Sequence, residues 1–249
     1  MKCLILAAGY ATRLRPLTDN FPKPLLKVGG RAILDWLLDD IGGSGLVDGF
    51  IVVSNHRFAP IFEEWASTRP EEVVVVDDGT STNETRLGAV RDIQFALDAL
   101  RPEGDLLVIA GDNLLDFSLG SFIGYAAGKG TSCVMRYYEP SPARLRKCGV
   151  LEVGPDDLVT GMEEKPAEPK SNWCCPPFYY YTAADAALLP EAIASGCGTD
   201  APGSFIAWLS GRSPVHAMEM PGRRYDIGSL ESYKAVCEVF GQNQNHQEI

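Results

Sequence analysis

The chain has 249 residues, 45% of them apolar, and a formal net charge of −11. That length and apolar share support a sizeable core in a single α/β domain. The acidic balance argues against nucleic acid or an anionic membrane as partner, because both need a basic face, and no apolar run approaches the ~20 residues that cross a bilayer.

The first eight residues resemble the start of a signal peptide, but Gly9 and Arg13 interrupt them at once. The seven cysteines, Cys3, Cys133, Cys148, Cys174, Cys175, Cys197 and Cys237, are odd in number and scattered. They form no CxxC pair and have no neighbouring histidine to suggest zinc. They read as buried free thiols in a reducing compartment, and the expected setting is cytoplasmic.

Residues 3–8 form a short apolar run ending at a glycine, as a buried parallel strand does. Residues 33–41 have helical spacing and stop at Gly42-Gly43. A strand at 50–53 and a short helix around 61–65 precede four consecutive valines, 73–76, read as a strand buried on both faces. Residues 88–100 are helical, with Val90, Ile93, Leu97 and Leu100 on one side. A strand at 106–110 ends at Gly111-Asp112-Asn113, and a helix at 119–127 and a strand at 132–137 follow. This rhythm predicts a Rossmann-like α/β fold, a mostly parallel central sheet with helices on both faces. Ligands bind such sheets at the carboxyl ends of the strands, so the segments after Ala8, Val76 and Ala110 are expected to line one cleft.

From Gly149 the pattern changes. A hairpin over 150–153 and 158–162 turns at Gly154-Pro155-Asp156-Asp157, then come an aromatic strand at 178–181, a helix at 183–194, a strand at 215–220 and a helix at 230–240. This half reads as a β-rich insertion capping the cleft. The expected organisation is one domain, 1–240, of two halves, 1–137 and 138–240, with a frayed polar tail at 241–249.

The most informative stretch is Leu6-Ala7-Ala8-Gly9-Tyr10-Ala11-Thr12-Arg13, continuing through Leu14-Arg15-Pro16-Leu17-Thr18 to Pro22-Lys23-Pro24-Leu25-Leu26. A strand enters a glycine-led turn of small residues and then meets cations. Small residues let backbone N–H groups approach phosphate oxygens. Arg13 offers a planar fork and Lys23 a point charge, with prolines on both sides of Lys23 limiting its backbone. The Walker GxxxxGK[ST] pattern is absent, and only the first glycine of GxGxxG is present. Two carboxylates, Asp112 after its strand and Asp226 in Tyr225-Asp226-Ile227-Gly228-Ser229, suit Mg²⁺ held with phosphate oxygens and water. Ser229 is the better cap for the last helix, which leaves Asp226 free.

The first segment resembles the signature of the sugar-phosphate nucleotidyltransferases, LAAGxGxRLxPLT followed by PKPLL, with Ala11 in place of the second glycine. The resemblance implies that residues 1–137 bind an NTP and 138–240 a phosphorylated acceptor. It makes Arg13 and Lys23 the triphosphate-binding, catalytic pair, and residues Leu6 to Thr12 the nucleotide-binding loop. It assigns Asp112 and Asp226 to the metal, with Asp112 also at the nucleotide and Asn113 at the substrate. Glu164-Lys165-Pro166 is similar to the family's EKP, its glutamate on the sugar and its lysine on the sugar phosphate. Gly149 matches the glycine of YGV, with Cys148 in place of the tyrosine. By family position Gly88 lies near the base or ribose, and Asn83 in the polar loop 79–87 is placed to read a base edge.

Departures bear on substrate. The segment Ser171 to Tyr181 carries Pro176-Pro177 at a usual small-residue site, and the glutamine-containing GLAQA of thymidylyl enzymes is absent. The expected reaction is in-line attack of a sugar 1-phosphate on an NTP with Mg²⁺ and pyrophosphate release, without a general base. A cytidylyltransferase for phosphocholine or a phosphonate and a non-catalytic nucleotide-sensing module are the alternatives. Asp77-Asp78 resembles, more weakly, the DxD of a metal-dependent glycosyltransferase. No segment selects an oligomeric state, and a homo-oligomer stays open.

Overall fold

The structure, a computed structural model, describes residues 1–242. The tail expected at 241–249 lies outside the described residues except for its first two, which close the last helix.

β1 (Lys2–Leu6) is followed by a two-residue ladder, β2 (Lys27–Val28) and β3 (Arg31–Ala32), and then by α1 (Ile33–Gly43), β4 (Phe50–Ser54), α2 (Ala59–Ala66), β5 (Val73–Asp77), α3 (Ala89–Leu100) and β6 (Leu106–Ala110). β6, β1, β4 and β5 lie side by side, all parallel, with Leu6 level with both Ala110 and Val53. Three carboxyl ends therefore finish at one height and the loops after them share one rim. Alternation along β1 divides the core: Cys3 and Ile5 join the cluster with Leu34, Leu38 and Phe62, while Leu4 joins Val90, Ile93 and Ala96 of α3. The four-valine run departs from its expectation of two-sided burial. β5 is the edge of the sheet; Val76 is buried and Val74 is 36% exposed, because no strand pairs beyond it.

The remaining elements are β7 (Asn113–Leu115), α4 (Gly120–Lys129), β8 (Ser132–Tyr138), α5 (Pro142–Leu145), β9 (Gly149–Val153), β10 (Val159–Glu164), β11 (Trp173–Cys175), β12 (Phe178–Tyr181), α6 (Ala183–Ala186), α7 (Leu189–Ala194), α8 (Gly203–Leu209), β13 (Val215–Glu219), β14 (Arg224–Asp226) and α9 (Leu230–Gln242). β12 runs antiparallel to both β6 and β8, so the same sheet continues through β8, β11 and β9 to β10, and β13 adds to β8 in parallel. The helix expected over 183–194 is two helices. Pro190 has no N–H and its ring conflicts with the carbonyl four residues back, at Ala186, where α6 stops.

Asp35 ties the first half together. Its Oδ2 accepts the Ala32 N–H at 3.0 Å, capping α1, and its Oδ1 accepts Trp65 Nε1 at 2.9 Å and Arg69 Nη1 at 3.1 Å from the α2 side. Asp35→Ala removes a cap and strands the indole N–H, a loss of about 2 kcal/mol or more. The expected outcome is a clear fall in the denaturation midpoint with turnover per folded molecule unchanged; an unaltered midpoint would show that the hub is not structural.

Candidate active site

The loop after β1 is held at three points. The Ala7 N–H donates to Val53 O at 2.9 Å, Asn55 Nδ2 donates to Ala8 O at 2.9 Å, and Tyr10 Oη donates to Thr80 O at 3.2 Å. The rims of β1, β4 and β5 thus become one surface. Ala11 lies in the left-handed region, φ 45° and ψ 42°, a conformation costing an L-residue about 1–2 kcal/mol. That strain fits the glycine that the resembled signature has at this position. Ala11 O accepts the Leu14 N–H and Thr18 Oγ1, both at 2.9 Å, closing a tight turn over Thr12–Leu14. Leu14 is buried beneath it, whereas Thr12 and Arg13 are exposed. Arg13 has no hydrogen-bond or ion-pair partner among the described residues. A Cβ on Gly9 would meet nothing within 4 Å, so the loop leaves open space there.

Gly111 brings the carboxylates to this loop. Its N–H donates to Leu6 O at 3.1 Å, and a Cβ there would stand 2.9 Å from Ile5 Cγ2 and 3.4 Å from Pro24 Cβ. Only glycine lets the strands and the Lys23 turn approach so closely. Lys23, 8% exposed, then donates to Asp112 Oδ2 at 2.7 Å. β7 and β14 pair so that Asp226 lies opposite Asn113, beside Asp112. Asp226 is exposed and without a hydrogen-bond partner, because Ser229 Oγ accepts the Ser232 N–H and caps α9. Asn113, expected at the substrate, is engaged within the protein. It is 0% exposed, and its amide bonds to Arg224, Ala110 O and Asp112.

Two carboxylates from adjacent strands, one free and one already carrying a cation, fit a Mg²⁺ ion that takes its other ligands from phosphate and water. No cluster of three or more His, Cys, Asp or Glu ligands exists among the described residues, so protein side chains alone supply no full cage.

On the acceptor side, β9 and β10 pair with Gly149 opposite Glu164. A Cβ on Gly149 would lie 3.2 Å from Glu164 Oε1, and one on Gly203 would lie 2.1 Å from it. The carboxylate occupies a slot that only two glycines leave. Burial raises its pKa, opposed by the neighbouring Lys165. Lys165 is exposed at φ 50°, strained for a side-chain-bearing residue, and its N–H donates to Cys148 O at 2.9 Å. Cys148 Sγ lies 3.5 Å from Tyr137 Oη. A hydrogen bond from Cys174 brings the Cys148 thiol down to about 6 against the opposing effect of burial.

Gly88, expected near the base or ribose, owes its glycine to another contact. At φ 91° it packs under the acceptor half: a Cβ would stand 2.5 Å from Thr199 O, and the Ala89 and Val90 N–H groups donate to Asp200 O and Thr199 O. Arg86 Nη2 meets Asp200 at 2.9 Å. Asn83 gives its carbonyl to Arg86 Nη1, and its side chain is unpartnered. Sequence reasoning missed Gly203 and Arg224; for Arg224 the available signal was a charge two residues before Asp226 on a strand.

Asp77, at the end of β5, bonds to His56 Nδ1 at 2.6 Å and to the Gly79 N–H, while Asp78 is buried. Asp92, 7% exposed and with Oδ1 unpartnered, is raised to about 7, first by burial and then by Asp78. Its folded pKa lies above its unfolded value, so the unfolded chain loses this proton first and stability falls as pH rises from about 4 to 7. Asp92→Asn should remove that slope, with no gain at pH 4 and a gain of up to about 4 kcal/mol at pH 8. Parallel stability–pH curves for the two proteins would contradict a buried neutral carboxyl.

A glycine-led turn followed by Arg13 and Lys23, and a rim carrying Asp112 and Asp226, follow the carboxyl ends of the parallel strands of a mixed sheet, the layout of a nucleotide-binding α/β fold. The sequence profile of the nucleotidyl transferase family matches residues 2–240, and the chain belongs to that family, among the sugar-phosphate nucleotidyltransferases. It is 31% identical over 207 residues to a glucose-1-phosphate thymidylyltransferase of Streptomyces griseus (78% of this chain, 52% of the relative). It is 24% identical to a glucose-1-phosphate adenylyltransferase of Fervidobacterium nodosum (92% of this chain, 59% of the relative). The chain thus spans little more than half the length of these two relatives. A UTP–glucose-1-phosphate uridylyltransferase of Haloferax volcanii is 26% identical, with 93% of each chain covered. Among solved structures, a UDP-glucose pyrophosphorylase complexed with UDP-glucose shares the fold at a TM-score of 0.82 and 20% identity, covering 97% of this chain and 98% of the other. No helix among the described residues is long and apolar enough to cross a membrane.

Proposed function

We propose that the protein transfers a nucleoside monophosphate from an NTP to a sugar 1-phosphate, yielding a nucleotide sugar and pyrophosphate. The reading is carried by one juxtaposition. Unpaired Arg13 and the Lys23–Asp112 ion pair follow the ends of β1 and β6, Asp226 lies across the β7–β14 ladder from Asn113, and Glu164 closes β10 of the same continuous sheet with Lys165 directly after it.

A phosphate monoester is largely dianionic at neutral pH and is itself the nucleophile. Its oxygen forms a bond to the α-phosphorus as the bond to the bridging oxygen breaks and pyrophosphate leaves; no proton has to be removed. The demand on the protein is to hold two polyanions together and to stabilise the charge that develops. Arg13 and Lys23 would bind the triphosphate, Lys165 the incoming phosphate, and Glu164 the acceptor's hydroxyl groups. Asp112 and Asp226 would hold Mg²⁺, which when bound neutralises phosphate charge.

The identifying assay is pyrophosphate release from each of five NTPs against a panel of sugar 1-phosphates, phosphocholine and aminoethylphosphonate. One NTP–sugar pair should react with Mg²⁺ and stop with EDTA. Lys23→Ala and Asp112→Ala should each lower kcat by about 10³-fold with the fold intact; near-normal turnover in either rejects the mechanism. Turnover with phosphocholine or the phosphonate alone would reject a sugar acceptor and keep the transfer chemistry. Lys165→Ala should raise the acceptor KM at least tenfold while changing the NTP KM little, and equal changes would mean that Lys165 does not hold the acceptor phosphate.

A further inference from the structure

Arg224 stands two residues before Asp226 on β14, so both side chains leave the strand on one face. Tyr225, between them, points the other way and meets Phe240 edge-on at 5.3 Å. Across the ladder Arg224 faces Leu115, which places Asn113 at the diagonal position a long side chain can reach. Arg224 Nη1 donates to Asn113 Oδ1 at 2.7 Å.

This contact decides which way the Asn113 amide faces. A guanidinium only donates, so the amide oxygen must turn toward it. The amide nitrogen is then directed at Ala110 O, 3.3 Å, and at Asp112 Oδ1, 2.8 Å. The reversed amide would set its oxygen against the Asp112 carboxylate with no proton between them. Lys23 holds the other carboxylate oxygen at 2.7 Å. Both oxygens of Asp112 are therefore fixed, one by Lys23 and one by a chain that starts at Arg224. Asp226 and Asp112 also keep Arg224 charged despite its burial.

We propose that Arg224 is a positioning residue that acts through Asn113 to set the orientation in which Asp112, with Asp226, receives a divalent cation. This rests on the reading of Asp112 and Asp226 as cation ligands. It gives the buried amide of Asn113 a task distinct from touching the acceptor.

The test is direct Mn²⁺ binding to the full chain, read by electron paramagnetic resonance, which needs no substrate and no turnover. Asp112→Ala calibrates the site. Arg224→Gln replaces a donor-only group by an amide that can present either end, and Asn113→Ala breaks the chain while leaving Arg224 in place. Each should weaken Mn²⁺ binding by about 10- to 100-fold, the usual effect of losing a partner that orients a ligand. The double variant should be no weaker than Asn113→Ala alone, since one chain is cut twice. Arg224→Lys, which keeps the charge but not the rigid fork, should fall between wild type and Arg224→Gln. Wild-type Mn²⁺ affinity in Arg224→Gln or Asn113→Ala, or additive losses in the double variant, overturns the positioning role while leaving the metal reading in place. Should Arg224→Gln fail to fold, Arg224→Lys and Asn113→Ala decide the question by the same criterion. Equal Mn²⁺ binding by wild type and Asp112→Ala overturns the metal reading and this inference together.

Discussion

The site depends on cations set beside its carboxylates. Asp112 and Asp226 are far apart in the chain, and the short β7–β14 ladder sets Asp226 opposite Asn113, the residue after Asp112. Like charges brought near one another repel unless cations stand between or beside them. The structure answers with two cations, Lys23 on Asp112 and Arg224 beside both carboxylates, so the four side chains sum to zero charge. The lysine comes from the first turn of the chain and the arginine from its last strand. Closing the fold and balancing the charge are thus one event, and the close packing of Gly111 against Pro24 fixes its geometry.

A second constraint follows from the overall charge of −11. An acidic protein repels polyanions, so under the proposed function attraction has to come from a few local cations. Arg13 and Lys165 are exposed and unpaired; Arg13 comes two residues after left-handed Ala11, and Lys165 is itself at φ 50°. Neighbouring contacts hold that backbone in place, the Ala11 carbonyl by Thr18 and Leu14, the Lys165 N–H by Cys148. A braced backbone beneath each cation leaves only the side chain to be ordered on binding.

What the sequence could reveal divides along physical lines. The tight turn after β1 was legible because its determinants are local: a strand, small residues, a cation, a lysine between prolines. The parallel strands were legible from apolar runs, but the valines of β5 misled, since an all-apolar run cannot say whether a strand lies inside a sheet or at its edge. The ladder joining Asp112 to Asp226 is three residues long on each side, too short to carry a period. The burial of Asn113 is invisible in sequence, because its motif says nothing of the strand that covers it. The need for glycine at position 88 comes from Thr199, a partner visible only in three dimensions.

The double proline at 176–177 shows how a departure from the family's pattern is absorbed. In sequence it reads as an altered acceptor wall. In the fold it lies where the chain leaves β11, paired with β9 and β8, and enters β12, paired with β6 and β8. A switch between neighbours leaves backbone N–H groups without a ladder, and proline has none to leave. Its carbonyls are still used: Pro176 O accepts the Phe178 N–H at 2.8 Å, and Pro177 O accepts the Ala110 N–H at 3.1 Å. Ala110 is the last residue of β6 before Gly111 and Asp112. The segment that departs most from the family's pattern is therefore bonded to the strand end that leads into Gly111 and Asp112, through the Pro177 carbonyl and the β6–β12 ladder that follows it.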